Sequence, residues 1–279
     1  MNCKLIPILS MGLYVEPSLY PKPGGITPFN RDDKNYFDFL IHASLTAKIM
    51  QETCKRFEKK ERGIIAKALN EYRNYLLNYD RKNIAFGEFL LHIPLSIGLA
   101  ISSNIKEVAI NSSKYVIEET GEYEGKLYYE ILKILSPSYL GKYEGLMPDI
   151  FSSYPKSLYE VLSAYSWDLV NREMINGYQI SLETIEYIKR FDNLNEAFLK
   201  GLLYIISRYG DTLTAKRNGF HFYKKMINDA KIGLYISEKY GINYAINYLK
   251  GIWGENISPG SALDVLSSSI SLYFLDLYL

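Results

Sequence analysis

Three short segments of this sequence join charged side chains to turn-forming residues, as an anion site would. In Pro21-Lys22-Pro23-Gly24-Gly25, prolines fix φ on both sides of Lys22, and two glycines follow. The chemistry would be a phosphate-binding lysine held out from a stiff support, so that its loss costs the fold little. Gly24 would open backbone N–H groups to close approach by a ligand. An ordinary surface turn has the same composition. In the segment from Gly210 to Gly219, Asp211 stands where a helix should start, and Lys216 and Arg217 follow a turn or more later. One reading is a triphosphate site, with Asp211 on Mg²⁺ and the two cations on phosphate oxygens. The other is a capped helix with solvated charges. Ser258-Pro259-Gly260-Ser261 leads into a third helix, whose N-terminus attracts anions and whose first turn carries Asp264.

Further acids lie in Trp167-Asp168…Arg172-Glu173. Read as one helix, this stretch pairs Asp168 with Arg172 at i,i+4 and places Glu173 about 140° around the axis. Carboxylates inside an otherwise apolar helix are costly without partners or a ligand. His42, His92 and His221 have no metal-ligand spacing, and the first two sit in apolar helices as core histidines would. Cys3 and Cys54 are too few for a disulfide framework and read as reduced thiols. There is no P-loop, dinucleotide fingerprint or zinc signature.

The elements that must position these residues read as helices throughout. Apolar spacings of three and four predict helices over 36–57, 61–79, 84–103, 105–120 and 123–135. Asn104 caps the fourth of these, and Ser136-Pro137 ends the fifth. Residues 136–156 form a long irregular stretch. Ser157 with Glu160 makes a capping box opening a helix that runs to Asn176. Helices over 181–191, 193–209 and 261–279 follow, with glycines punctuating the rest. The expectation is one all-α domain over 1–279 with about ten to twelve helices. Thirty-two basic residues against 31 acidic ones argue against nucleic-acid binding by bulk charge. The most apolar stretch, 84–101, contains Glu88, His92 and Pro94 and reads as a core helix and not a membrane span. No secretory signal is apparent, so a cytoplasmic location is expected.

Taken in order, these segments resemble the triphosphoribosyl-dephospho-CoA synthase family, most closely its archaeal branch. The pattern begins with Glu16 ahead of Pro21-Lys22-Pro23-Gly24 and Asp33. It continues through Asn83…Gly87, Pro94-Leu95, Pro137…Gly141 and Pro148-Asp149. Then come Asp168…Arg172-Glu173, Asp211-Thr212-Leu213…Lys216-Arg217 and Pro259-Gly260-Ser261…Asp264, so that roughly 10–275 is covered. Two departures stand out. Ile84-Ala85 replaces two polar residues usual after the asparagine, and Ser258 replaces the asparagine usual before Pro259.

The resemblance implies an all-α enzyme that breaks the N-glycosidic bond of ATP, releases adenine and places the triphosphoribosyl group on dephospho-CoA. In that reaction Glu16 and Asp168 would divide two roles, stabilising an oxocarbenium-like ribose and accepting the hydroxyl proton. Asp211 and Asp264 would hold Mg²⁺. Lys22, Gly24, Asn83, Lys216, Arg217 and Ser261 would bind substrate and phosphate. Two alternatives stay open: a related nucleotide-dependent transferase or glycohydrolase with another acceptor, and a non-catalytic nucleotide-binding protein. A homo-oligomer is compatible with the sequence.

Overall fold

The computed structural model describes residues 2–29, 35–78, 83–137, 147, 150–151, 153–254 and 257–279. All elements among them are helical, as the punctuation predicts, and there are fifteen α-helices after a 3₁₀ turn at Asn2–Leu5. Asp33, Gly141, Pro148, Asp149 and most of the irregular 136–156 stretch lie outside the described residues.

At the N-terminus, α1 (Ile6–Leu9) and α2 (Met11–Ser18) precede the proline–glycine segment. A capping box of Asn35 and Asp38 opens α3 (Tyr36–Glu58). Then come α4 (Ile64–Asn78), α5 (Phe86–Ile101), α6 (Ile105–Glu119) and α7 (Glu122–Leu135). Asn104 caps α6 through the Glu107 N–H, as expected. Beyond the irregular stretch, Ser157 caps α8 (Leu158–Ala164) through the Glu160 N–H. The helix expected to continue to Asn176 instead breaks, and α9 (Leu169–Ile175) starts afresh. The cause is Asp168, which adopts an extended backbone and accepts from the Val170 and Asn171 N–H groups as an N-cap. The expected Asp168–Arg172 pair on one helix face therefore does not form. Next come α10 (Gln179–Ile188), α11 (Leu194–Tyr209), α12 (Thr212–Asn218), α13 (Phe220–Tyr240), α14 (Ile242–Trp253) and α15 (Gly260–Asp276). The broken segment and the short N-terminal helices raise the count above the ten to twelve expected.

Two helices form the centre. In α5, nearly every residue from Phe86 to Leu99 is buried, which explains an apolar run that shows no polar face. No single described helix is long and apolar enough to cross a membrane. In α15 the buried face combines Leu and Ile with Ser267, Ser268, Ser269 and Ser271, short side chains that let α2 and α5 approach closely. The Ser268 and Ser269 hydroxyls bond the Val265 carbonyl of their own helix, and the Ser271 Oγ accepts from the Gly12 N–H. Buried apolar residues from Cys3 to Leu275 make one continuous core.

The cysteines correct the reduced-thiol expectation. The N-terminal turn packs on α3, bringing the Cys3 and Cys54 Cα atoms within 5.8 Å, and the two are joined as a disulfide. Their sequence separation of 51 hides this proximity from a linear reading.

Candidate active site

The N-termini of α5, α9, α12 and α15 meet around one cavity of about 1200 Å³. Helix starts leave N–H groups unpaired and carry partial positive charge, so they attract carboxylates. Here the protein supplies them. Asp168 caps α9. Asp211 caps α12 through the Thr214 N–H at 2.6 Å and accepts from the Ala262 N–H of α15 at 2.9 Å. Asp264 accepts from the Glu88 N–H in the first turn of α5. Gly87 makes that last contact possible, since a Cβ there would lie 2.1 Å from Asp264 Oδ2. The Asn83 side chain accepts from the Phe86 N–H at 3.3 Å.

All but one of the ten residues expected in the site line this cavity. Glu16, Lys22, Gly24, Asn83, Asp168, Lys216, Arg217, Ser261 and Asp264 border it, whereas Asp211 does not. Positions as far apart as Glu16 and Asp264 thus converge, but several do other work than expected.

Lys22 is not held out from its proline support. It turns inward, 1% exposed, and its ammonium meets Glu16 Oε1 at 2.6 Å and the Glu16 carbonyl at 3.1 Å. Gly24 leaves room not for a ligand but for the chain itself, because a Cβ would lie 2.4 Å from the Ile257 carbonyl oxygen. Asp211 is fully buried, and both its oxygens are occupied, Oδ2 also accepting from the Ser261 hydroxyl at 2.7 Å. Burial pushes its carboxyl up, while the Ser261, Ala262 and Thr214 donors hold it back. It staples α12 to α15, and this geometry removes it from a metal role. Ser261 completes the staple by accepting from the Thr212 and Leu213 N–H groups.

Asp168 is engaged on both oxygens. Oδ1 takes the α9 N–H groups. Oδ2 accepts from Lys216 Nζ at 2.6 Å and from the Thr212 hydroxyl at 3.2 Å. Burial, the largest single influence, opposes its charge, but Lys216 together with the Asn171 N–H and the Thr212 hydroxyl holds the carboxyl below the usual carboxylate range. Lys216 is thereby fixed at the cavity wall over the Trp167 ring. Arg217 and Lys250 border the same cavity from exposed positions on α12 and α14. Phe86, Leu90, Tyr128 and Leu132 line it from α5 and α7, with the Phe86 and Tyr128 rings 5.9 Å apart and stacked.

Sequence reasoning passes over Glu88 as a site residue. It borders the cavity, 2% exposed, close enough to Glu16, Asp264 and Lys22 to feel their charges. The sequence does carry a signal for it: a carboxyl with no lysine or arginine anywhere in the run 84–101. Of the two departures after Asn83, Ile84 is buried outside this cavity and only Ala85 faces it. Ala85 has φ of 88°, a left-handed conformation that asparagine tolerates and alanine resists.

Among the described residues, no group of three or more Asp, Glu, His or Cys side chains is placed to enclose a metal ion. The donors present suit a magnesium ion that keeps most of its ligands as water and phosphate and takes one or two carboxylates.

No curated protein matches the chain. A solved structure from Archaeoglobus fulgidus, assigned to triphosphoribosyl-dephospho-CoA synthase, superposes with a TM-score of 0.61 at 20% identity. The match covers 85% of this chain and 98% of that one, and shows that the two share a fold. Residues 4–279 match the family described as ATP:dephospho-CoA triphosphoribosyl transferase, and the chain belongs to that family.

Proposed function

We propose that the protein transfers the triphosphoribosyl group of ATP to dephospho-CoA and releases adenine. The observation that carries this reading is one cavity, large enough for two nucleotides, in which a cationic rim adjoins a buried carboxylate cluster. Lys216, Arg217 and Lys250 offer positive charge to the triphosphate. Glu16 offers negative charge to a ribose that becomes oxocarbenium-like as its bond to adenine breaks. Lys22 holds Glu16 in place through its carboxylate and its carbonyl. Asp168 fits a supporting task better than a chemical one, because both its oxygens are engaged in capping α9 and orienting Lys216. Asp264, half-buried and open to the cavity, is the carboxylate suited to Mg²⁺, which when bound would neutralise phosphate charge. Both substrates are intracellular nucleotides, which supports a cytoplasmic place of action.

The test is incubation of the purified protein with ATP, Mg²⁺ and dephospho-CoA. Adenine release and a product carrying the added triphosphoribosyl mass are expected. ATP binding without adenine release would refute the reading. A second reading keeps the ATP chemistry and changes the acceptor, and it is favoured by Ala85, where a polar side chain is missing from the cavity wall. Adenine release with another hydroxylated nucleotide, and not with dephospho-CoA, would select it.

A further inference from the structure

The cavity has two chemically distinct ends. Lys216, Arg217 and Lys250 stand on α12 and α14. Phe39, Phe86, Leu90, Tyr128 and Leu132 border the same space from α3, α5 and α7, and none of them carries a charge. The two ends rest on different parts of the fold: α7 packs on α4 and α8, whereas α12 and α14 pack on α13. Asp264 links them. It meets α5 at Gly87, the residue directly after Phe86, and it lies close enough to Asp168, the partner of Lys216, to feel its charge. Cations, acids and apolar side chains therefore follow one another along the cavity. Triphosphate, ribose and base follow one another in the same order along a nucleoside triphosphate.

The apolar end is held rigid from behind. In the core, Tyr72 stacks on Phe89 with ring centres 4.2 Å apart. Tyr72 also stacks on Phe86 at 5.4 Å, and Phe86 stacks on Tyr128 at 5.9 Å. The three interplanar angles are 28°, 22° and 29°. This ladder of rings runs from the core to the cavity wall, so packing fixes Phe86 and Tyr128 before any ligand arrives. A planar group that lies against such a wall gains apolar contact and orders few side chains in exchange. Apolar surface bordering a charged, water-accessible cavity is otherwise unfavourable, and a ligand's apolar face relieves that cost. The base is the uncharged, planar part of a nucleotide. The arm of dephospho-CoA carries amides, whose polar groups gain nothing from apolar side chains.

We infer that the wall formed by Phe86, Leu90, Tyr128 and Leu132 is the site for the base of the donor nucleotide, with the triphosphate directed to α12 and α14. This rests on the transferase reading above. The orientation sets the ribose beside the carboxylates, where its bond to the base must break. It also gives the departing adenine a surface of its own, held by apolar contact and independent of the phosphate end. Free adenine therefore binds the same wall, and inorganic tripolyphosphate binds without it.

The experiment titrates wild type and Leu132→Asn with adenine, ATP, inorganic tripolyphosphate and dephospho-CoA, each alone, by calorimetry. Leu132 is partly buried at the cavity wall, and asparagine keeps its approximate shape while removing the apolar surface. Adenine and ATP should each bind the variant about tenfold more weakly. Tripolyphosphate should bind as it does to wild type, which a general loosening of the site would not allow. Leu132→Met, which restores apolar bulk, should return adenine and ATP affinity close to wild type. Equal weakening of tripolyphosphate and ATP would overturn the proposal. So would unchanged adenine and ATP affinity, or weakening confined to dephospho-CoA, which would give the wall to the acceptor. Should the asparagine variant fail to fold, Leu132→Ala carries the same comparison. None of these titrations needs turnover. A wild-type protein that binds adenine at this wall and releases none from ATP would refute the transferase reading and leave the base site standing.

Discussion

Replacing Lys22 by methionine tests the central electrostatic reading. The side chain keeps similar length and apolar bulk, so the main loss is the ammonium that sits 2.6 Å from Glu16 at 0% side-chain exposure. Glu16 is then buried without its counterion and still faces Glu88 and Asp264. Removing one partner of such a pair costs about 3–5 kcal/mol. At about 2.1 cal/mol/K of unfolding entropy per residue, a chain this long gains about 0.6 kcal/mol/K on unfolding. The melting temperature should therefore fall by about 5–8 °C, measured by calorimetry. Adding Glu16→Gln removes the stranded charge, so the double variant should regain most of the loss while remaining inactive. A melting temperature within a degree or so of wild type for Lys22→Met would refute the buried-pair argument. So would a double variant no more stable than the single one. The sequence alone suggests the opposite, a lysine whose loss the fold would scarcely notice.

Other expectations follow the same geometry. Asp211→Ala should act on stability before it acts on ligand binding: it strands the Thr214 and Ala262 N–H groups and the Ser261 hydroxyl, at roughly 1–3 kcal/mol per unsatisfied buried group less whatever water recovers, and denaturant titration would read the loss. Ala85→Asn should raise stability by about 0.5–1 kcal/mol by relieving the left-handed backbone, and an unchanged or lower unfolding midpoint would contradict that. Glu173 is fully buried, and burial raises its carboxyl to about 7 although the Ser181 hydroxyl and the Ile180 and Ser181 N–H groups bond it. A carboxyl raised on folding contributes stability that is fully present below about 4.5 and is lost as pH climbs through about 7. The penalty of Glu173→Gln should therefore shrink by about 3 kcal/mol between pH 4.5 and pH 8, and thermal melts across that range would detect a penalty that instead stayed constant or grew.

Much of the fold is legible in the sequence because its signals are local. Asn104, Ser157, Asn193 and Asp211 each cap the helix expected to follow them, since a cap depends on a side chain and an N–H three residues away. The apolar run of α5 announces a central helix for the same reason: burial on all sides leaves no polar face to be selected. The membership of the cavity is also legible, since Lys22, Asp168, Lys216 and Asp264 stand out by residue type and spacing, Glu16 is added by the family resemblance, and all border it. What each one does is settled only by tertiary contact. Lys22 looks like a free cation because its partner is fixed by how α2 turns into the proline segment. Asp211 looks like a metal ligand because nothing local reveals that the start of α15, fifty positions on, occupies its second oxygen. The Cys3–Cys54 bridge and the Asp264 contact with the α5 N-terminus have the same origin. Hydrogen bonding within a turn is written in neighbouring residues, whereas the balance of buried charges depends on which distant segments the packed core brings face to face.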